Sequence, residues 1–239
     1  MYQGRVAGIK KTAQMKRLDP EEFLKNKYNH LLSALILLFI FSPSLEVRDK
    51  SVNFPIIPLI ILVVLVAVIR VDFPRGKFFH AFLIFAFISF SLNLLIYFLP
   101  DSRVELTKIL KALSSIISIL FYIITIYILS RRLFRVRKVT ADTIKGGISA
   151  YLLIGFFWAI LYSLLIQIDP DAFIVTSDKE MMLVHFSFTT LTTLGYGDIV
   201  PNGRFAAVLT NAEAIIGQLF LTIFVARLVG LYIVGEKEA

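Results

Sequence analysis

The chain has no cysteine and only three histidines among its 239 residues. The absence of thiols excludes disulfide bonds and thiolate metal centres. No cluster of His, Asp or Glu forms a plausible catalytic site, so the sequence does not support an enzyme, and we expect no cofactor. Charged residues are few as well: they make up 18% of the chain, whereas hydrophobic residues make up 57%. This balance is too apolar for an ordinary soluble domain.

Long apolar segments make up most of the sequence, and the mean hydropathy is +0.79. Because a helix needs about 20 apolar residues to cross a bilayer, we predict an all-α integral membrane protein with six transmembrane helices. The first segment is short and is expected to begin earlier, near Phe23. The six predicted spans are Tyr28–Phe41, Asn53–Ile69, Phe78–Leu99, Val104–Ser130, Thr143–Ile168 and Gly203–Val234.

Basic residues predict the orientation, because Lys and Arg favour the cytoplasmic side. They are concentrated in the N-terminal tail, in residues 70–77 and in residues 131–145, which share one side if all six spans form. Both termini are then cytoplasmic. A first segment lying flat on the membrane would leave five spans and an external basic tail, which we disfavour. No cleavable signal peptide pattern is present. The net charge of +8 favours contacts with anionic lipids, and nucleic acid is not an expected partner.

Residues Lys179–Leu191 form an apolar segment between the fifth and sixth spans that is too short to cross the membrane. The glycine-containing segment TLGYG, residues Thr193–Gly197, follows it. Non-helical backbone at membrane depth is tolerated only inside protein or along a water-filled cavity. The pattern therefore predicts a re-entrant pore helix followed by a loop that lines a pore.

The residue types in the TLGYG segment suit the binding of a dehydrated cation. A cage of backbone carbonyl oxygens can replace the hydration shell, and glycine adopts backbone angles that are closed to other residues. Gly195 and Gly197 would let successive carbonyls turn to one axis, and the Thr193 hydroxyl would add the innermost ring. The segment resembles the selectivity filter of potassium channels, with Leu194 where valine is commonest. The resemblance implies K+ sites at Thr193, Leu194, Gly195 and Tyr196.

The flanking segments resemble a group of small bacterial six-helix ion-channel proteins of the tetrameric pore-loop type. They read VTADTIKGGISAYLLIGFFWAILYSLL and NAEAIIGQLFLTIFVARLVGLY, so the resemblance covers residues 139–235. It implies a homotetramer, because one loop supplies one quarter of each oxygen ring. We divide the chain into a basic tail (1–27), a four-helix module with a basic linker (28–138) and a pore domain (139–239). Asp142 or Thr140 is expected to cap the outer helix of that domain.

Several residues near the motif are candidates for its support, namely Thr192, Asp198, His185 and Glu213. His185 could hydrogen-bond near Tyr196 or only pack, and packing is preferred. A carboxyl such as Glu213 within an apolar helix is costly unless it is protonated, paired or hydrated. It could brace the filter, which we favour, or lie in a water-filled outer vestibule.

Gly217 corresponds by resemblance to the hinge glycine of potassium channels. Close packing against the outer helix is an equally good interpretation, because small residues are common where membrane helices meet.

The fourth predicted span is poor in the arginines that a voltage sensor requires. Lys108 and Lys111 lie at its outer end, and no charge follows between Ala112 and Ser130. A sensor needs about 3–4 gating charges per subunit, so we do not expect strong voltage gating.

The sequence thus predicts a potassium-selective, homotetrameric channel of a prokaryotic plasma membrane, which conducts K+ passively. A voltage-gated potassium channel and a weakly selective cation channel are alternatives within the same class. A potassium transporter subunit is an alternative of another class. Such proteins carry four degenerate filter loops in one longer chain, whereas this chain has one loop.

Overall fold

The structure is a computed structural model that describes residues 28–45, 77–99, 103–176 and 182–237. The predicted second span and the expected helix start near Phe23 lie outside these ranges. The described residues form six helices and two short strands, numbered here in chain order. They are α1 (Asn29–Leu45), α2 (Lys77–Phe98), α3 (Val104–Leu133), α4 (Ala141–Ile168), β1 (Phe173–Val175), α5 (Leu183–Leu191), β2 (Ile199–Pro201) and α6 (Arg204–Lys237).

Three of the described helices are long and apolar enough to cross a membrane. They are Val104–Leu133, Ala141–Ile168 and Arg204–Gly235, and they agree with the fourth, fifth and sixth predicted spans to within a few residues. Helices α1 and α2 contain shorter apolar stretches, Asn29–Ser42 and Phe87–Phe98. The chain is therefore largely helical, with the character of a membrane protein, while the count of six spans stays a prediction.

Helix α4 begins at a capping box. The Thr140 side chain accepts a hydrogen bond from the Thr143 backbone N–H at 3.2 Å, and the Thr143 hydroxyl accepts one from the Thr140 N–H at 3.3 Å. This arrangement satisfies two backbone donors at a helix start. Of the two caps expected from the sequence, Thr140 is thus the correct one, and Asp142 lies within the first turn.

Helix α4 is the centre of the packing, since α1, α3, α5 and α6 all contact it. Two glycines allow two of these approaches. A Cβ at Gly147 would lie 2.0 Å from the Phe224 ring of α6, and a Cβ at Gly155 would lie 2.6 Å from the Phe188 ring of α5. Small residues at such contacts let helices pack closely without a hydrophobic driving force from water.

A short antiparallel ribbon joins the two ends of the loop region. Strand β1 pairs with β2 so that Phe173 lies opposite Pro201 and Val175 opposite Ile199. The sequence did not predict these strands. Helix α5 also differs from expectation, because it begins at Leu183 after extended backbone at Met182. The predicted pore helix was therefore too long at its start, and residues 179–181 lie outside the described ranges.

Candidate functional site

The TLGYG segment leaves the C-terminal end of α5 and runs back to β2 with an alternating backbone. Thr193, Gly195 and Gly197 have positive φ values of 60°, 54° and 73°. Leu194 and Tyr196 between them do not. Backbone that alternates in this way can present consecutive carbonyl oxygens on one side. A left-handed conformation costs a non-glycine residue such as Thr193 about 1–3 kcal/mol, so its surroundings must hold it in place.

The start of this segment is held by backbone hydrogen bonds from α5. The Thr189 carbonyl accepts from the N–H groups of Leu194 at 2.8 Å and Gly195 at 3.1 Å, and the Thr193 N–H donates to the Thr190 carbonyl at 2.9 Å. The Thr192 hydroxyl donates back to the Phe188 carbonyl at 2.7 Å. The Thr192 hydroxyl therefore bonds to its own helix and not to a carbonyl of the TLGYG segment.

The other end of the segment is held by Thr176, which directly follows β1. Its hydroxyl lies 2.9 Å from the Gly197 carbonyl and 3.0 Å from the Asp198 carbonyl. Its backbone N–H also donates to the Asp198 carbonyl at 2.8 Å. Because a hydroxyl has one proton, it serves one of the two carbonyls at a time. The ribbon thus positions the point at which the segment ends.

His185 makes both contacts that the sequence left as alternatives. Its ring stacks on Tyr196 with centroids 5.6 Å apart and an interplanar angle of 13°. Its Nε2 also lies 2.9 Å from Oδ2 of Asp198. The preference for packing alone was therefore wrong. A donated hydrogen bond to the carboxylate requires the tautomer or cation with a proton on Nε2.

The surroundings of Asp198 favour its charged form. Removal from water raises the pKa of this carboxyl, but His185 and the backbone N–H groups outweigh that effect. The pKa consequently lies below its ordinary value. The second oxygen, Oδ1, accepts from the Ile199 N–H at 3.1 Å. Asp198 thus links α5 to the first residue of β2.

Glu213 is fully buried and joins three helices. Its Oε2 accepts a hydrogen bond from the Tyr162 hydroxyl of α4 at 2.5 Å, and its Oε1 lies 2.5 Å from the Ser187 hydroxyl of α5. Ser187 also lies 2.7 Å from the Gly155 carbonyl of α4. The alternative of a water-exposed vestibule carboxyl is wrong, because no part of this residue reaches solvent. The geometry is that of a brace between α6 and the helix that precedes the TLGYG segment.

Gly217 packs closely against the end of α5. A Cβ at this position would be 2.4 Å from the Leu191 carbonyl oxygen and 2.8 Å from its Cδ1. The same carbonyl accepts a hydrogen bond from the Tyr151 hydroxyl at 3.1 Å. The glycine therefore provides the space for α6 to pass the last residue of α5. The hinge role stays a prediction.

Sequence reasoning missed the partners of the motif. Tyr162 and Ser187 carried a usable signal, because they are hydroxyl residues in apolar segments that flank the TLGYG loop, as Glu213 does. Thr176 and Tyr151 carried none, since nothing in their local pattern indicates which carbonyls they contact. Gln218 was also missed, and its side-chain amide lies 3.3 Å from the Thr193 hydroxyl.

Within the described ranges, no group of three His, Asp or Glu side chains lies close enough together to bind a metal ion. The oxygen atoms available to an ion at the motif are backbone carbonyls and threonine hydroxyls.

Comparison with known proteins agrees with this arrangement. Residues 149–233 match the ion channel family, and this range contains α5, the TLGYG segment and most of α4 and α6. No curated protein and no solved structure matches the chain. The family match indicates ion channel activity of the pore-loop type, and it points to a channel and not to an enzyme.

Proposed function

We propose that the chain is one subunit of a potassium-selective channel, in which Thr193–Gly197 of four identical copies surround a common axis. The observation that carries this proposal is the alternation of positive φ at Thr193, Gly195 and Gly197, in a loop within the range that matches ion channels. Carbonyl rings formed by Thr193, Leu194, Gly195 and Tyr196 would replace the hydration shell of K+. The ion then moves passively along its gradient between adjacent rings.

A tetramer is the assembly that this chemistry requires, since a single loop encloses nothing. The side chains of Leu194 and Tyr196 are 59% and 67% exposed in the isolated chain. Helix α6 likewise exposes apolar side chains such as Ile215, Leu219 and Ile223. A cyclic assembly would cover these surfaces with neighbouring subunits and lipid.

The network around the motif has a positioning role in this proposal. Glu213 would hold α5 against α4 and α6, so that the carbonyl cage keeps its width when an ion leaves. Asp198 and His185 would hold the outer end of the cage against Tyr196. No Lys or Arg lies between Lys179 and Arg204, so no fixed cation opposes the proposed path.

The proposed location is a prokaryotic plasma membrane, crossed several times, with both termini in the cytoplasm and Asp198 facing outward. The basic residues at the end of α3 and in the following turn, 131–138, then lie at the cytoplasmic surface. Anionic lipids are the proposed partners of that linker.

Reversal potentials of the purified full chain in planar bilayers test this proposal. With K+ on one side and Na+ on the other, we expect the reversal potential to lie close to that of a K+-selective membrane. Equal permeability to the two ions would refute potassium selectivity while leaving ion channel activity intact. An absence of all current across a series of voltages, pH values and lipids would refute the channel proposal itself.

A further inference from the structure

A polar cavity of about 360 Å³ lies among α2, α3, α4 and the first residue of α5. The α5 residue is Leu183, two residues before His185. A cavity of this size falls within the range of small-ligand sites. Its polar lining residues are Asn93, Lys111, Ser114, Ser115, Ser163 and Gln167.

The hydrogen bonds among these residues leave one buried acceptor atom without a partner. The Asn93 side-chain amide donates to the Ser114 hydroxyl at 2.7 Å and to the Ser89 carbonyl at 2.8 Å. The Gln167 amide donates to the Ser115 hydroxyl at 3.1 Å and to the Ser163 carbonyl at 3.0 Å. Oxygen Oε1 of Gln167 is buried and has no partner within the described part of the chain. A buried acceptor without a donor is costly, so this site favours a ligand that brings a donor.

Lys111 carries a positive charge and therefore favours an anionic group on the ligand. It is exposed and lines the cavity, and among the residues that the structure describes it has neither a hydrogen bond nor an ion-pair partner. No Asp or Glu is among the cavity's described lining residues. Lys108, one turn earlier on α3, differs in that it pairs with Glu105 at 3.0 Å. A ligand that fits the cavity therefore combines an anion for Lys111 with a hydroxyl donor for Gln167.

We propose that this cavity binds a glycerophosphate group, with the phosphate at Lys111 and a glycerol hydroxyl donating to Oε1 of Gln167. Such a group is the headgroup of phosphatidylglycerol or a soluble glycerol phosphate, and the two sources share the same recognition chemistry. The site is separate from the TLGYG segment, so the proposal does not depend on potassium selectivity.

Native mass spectrometry of the delipidated full-length protein tests the site. The probes are phosphatidylglycerol, phosphatidylcholine of equal chain length, and sn-glycerol 3-phosphate. Phosphatidylcholine carries the phosphate but no hydrogen-bond donor, so we expect it to bind several-fold more weakly than phosphatidylglycerol. Lys111→Gln should weaken phosphatidylglycerol binding several-fold, and so should Gln167→Glu, which keeps the shape of the side chain but repels an anion.

Lys108→Gln is the matched control, because it removes the same charge from the same helix outside the cavity. Binding should be unchanged in this variant. Equal losses in Lys108→Gln and Lys111→Gln, or equal binding of the two lipids, would overturn the proposal. Binding of sn-glycerol 3-phosphate that depends on Lys111, without binding of phosphatidylglycerol, would support the site and assign it a soluble ligand. Unaltered binding in Gln167→Glu would also overturn it.

Discussion

Two polar regions among the described residues differ in how completely their buried side-chain oxygens are paired. Around the TLGYG segment, Glu213 has a hydroxyl partner on each carboxyl oxygen and Asp198 is held by His185. In the cavity lined by Asn93 and Gln167, one buried oxygen lacks a partner. A fully paired network holds a backbone geometry, whereas an incompletely paired one favours an added ligand. The contrast separates a positioning site from a candidate binding site in one chain.

The largest effect is expected at the backbone of the paired region. Gly195→Ala should abolish potassium-selective current, because φ of +54° is strained for alanine although there is open space for its Cβ. Gly230→Ala is the matched control: it adds the same methyl group to α6, where nothing lies within 4 Å and φ is helical. Bilayer recording measures both variants, and a selective Gly195→Ala channel would show that the carbonyl geometry does not depend on this glycine.

Glu213→Ala is expected to have the next largest effect, since the Tyr162 hydroxyl loses its carboxylate partner and Ser187 keeps only the Gly155 carbonyl. Each unsatisfied buried polar group costs about 1–3 kcal/mol, so the assembled protein should unfold at a lower temperature and its openings should shorten. Glu213→Gln should be milder, because an amide retains most of the hydrogen bonding. Thermal unfolding and open times measure these effects. Equal stability of the wild type and both variants would contradict the brace.

Gly217→Ala tests the contact between α6 and the end of α5. Its Cβ would meet a backbone oxygen at 2.4 Å, so the helices must separate, and overpacking of this kind costs about 1–3 kcal/mol. A lowered melting temperature, with Gly230→Ala again as the control, is the expected result. If Gly217→Ala instead leaves stability unchanged and alters only the rate of channel opening, the result would favour a hinge at Gly217 over a packing role.

A smaller effect on stability is expected when the pH is lowered, through Asp198 at the outer end of the motif. Because the pKa of Asp198 is lower in the folded chain than in the unfolded one, its contribution is fully present above about pH 4 and is lost as the pH falls through the lowered value. Asp198→Asn should remove this part of the pH dependence. Thermal unfolding from pH 3 to pH 7 measures it, and identical acid profiles for the variant and the wild type would exclude the effect.

The smallest effect is expected at the outer end of α3. Changing Lys108 and Lys111 together to Gln should leave the midpoint and steepness of any conductance–voltage curve nearly unchanged, because neither charge crosses the membrane field. No charged residue follows on α3 until Arg131. A large loss of steepness in recordings of the double variant would show that α3 senses voltage.

Much of the helical layout could be predicted from hydropathy alone. Segments such as Thr143–Ile168 stand out because the backbone hydrogen bonds of a membrane helix form within the segment itself. A sufficiently long run of apolar residues is therefore enough to predict the helix. The ribbon of β1 and β2 could not be predicted in the same way. Its strands are three residues each. Each strand needs a partner that is distant in sequence, because Val175 pairs with Ile199 and Phe173 pairs with Pro201, 24 and 28 positions away.

The sequence by itself indicated the unusual backbone of the motif, because Gly195 and Gly197 permit the positive φ angles that the structure shows there. It also exposed Glu213 as an anomaly, since a carboxyl stands out in an apolar helix. Only the tertiary structure decided which groups meet: Tyr162 and Ser187 at Glu213, and Asp198 at His185. Hydrogen bonds between side chains distant in sequence depend on helix rotation and depth, which local pattern does not encode.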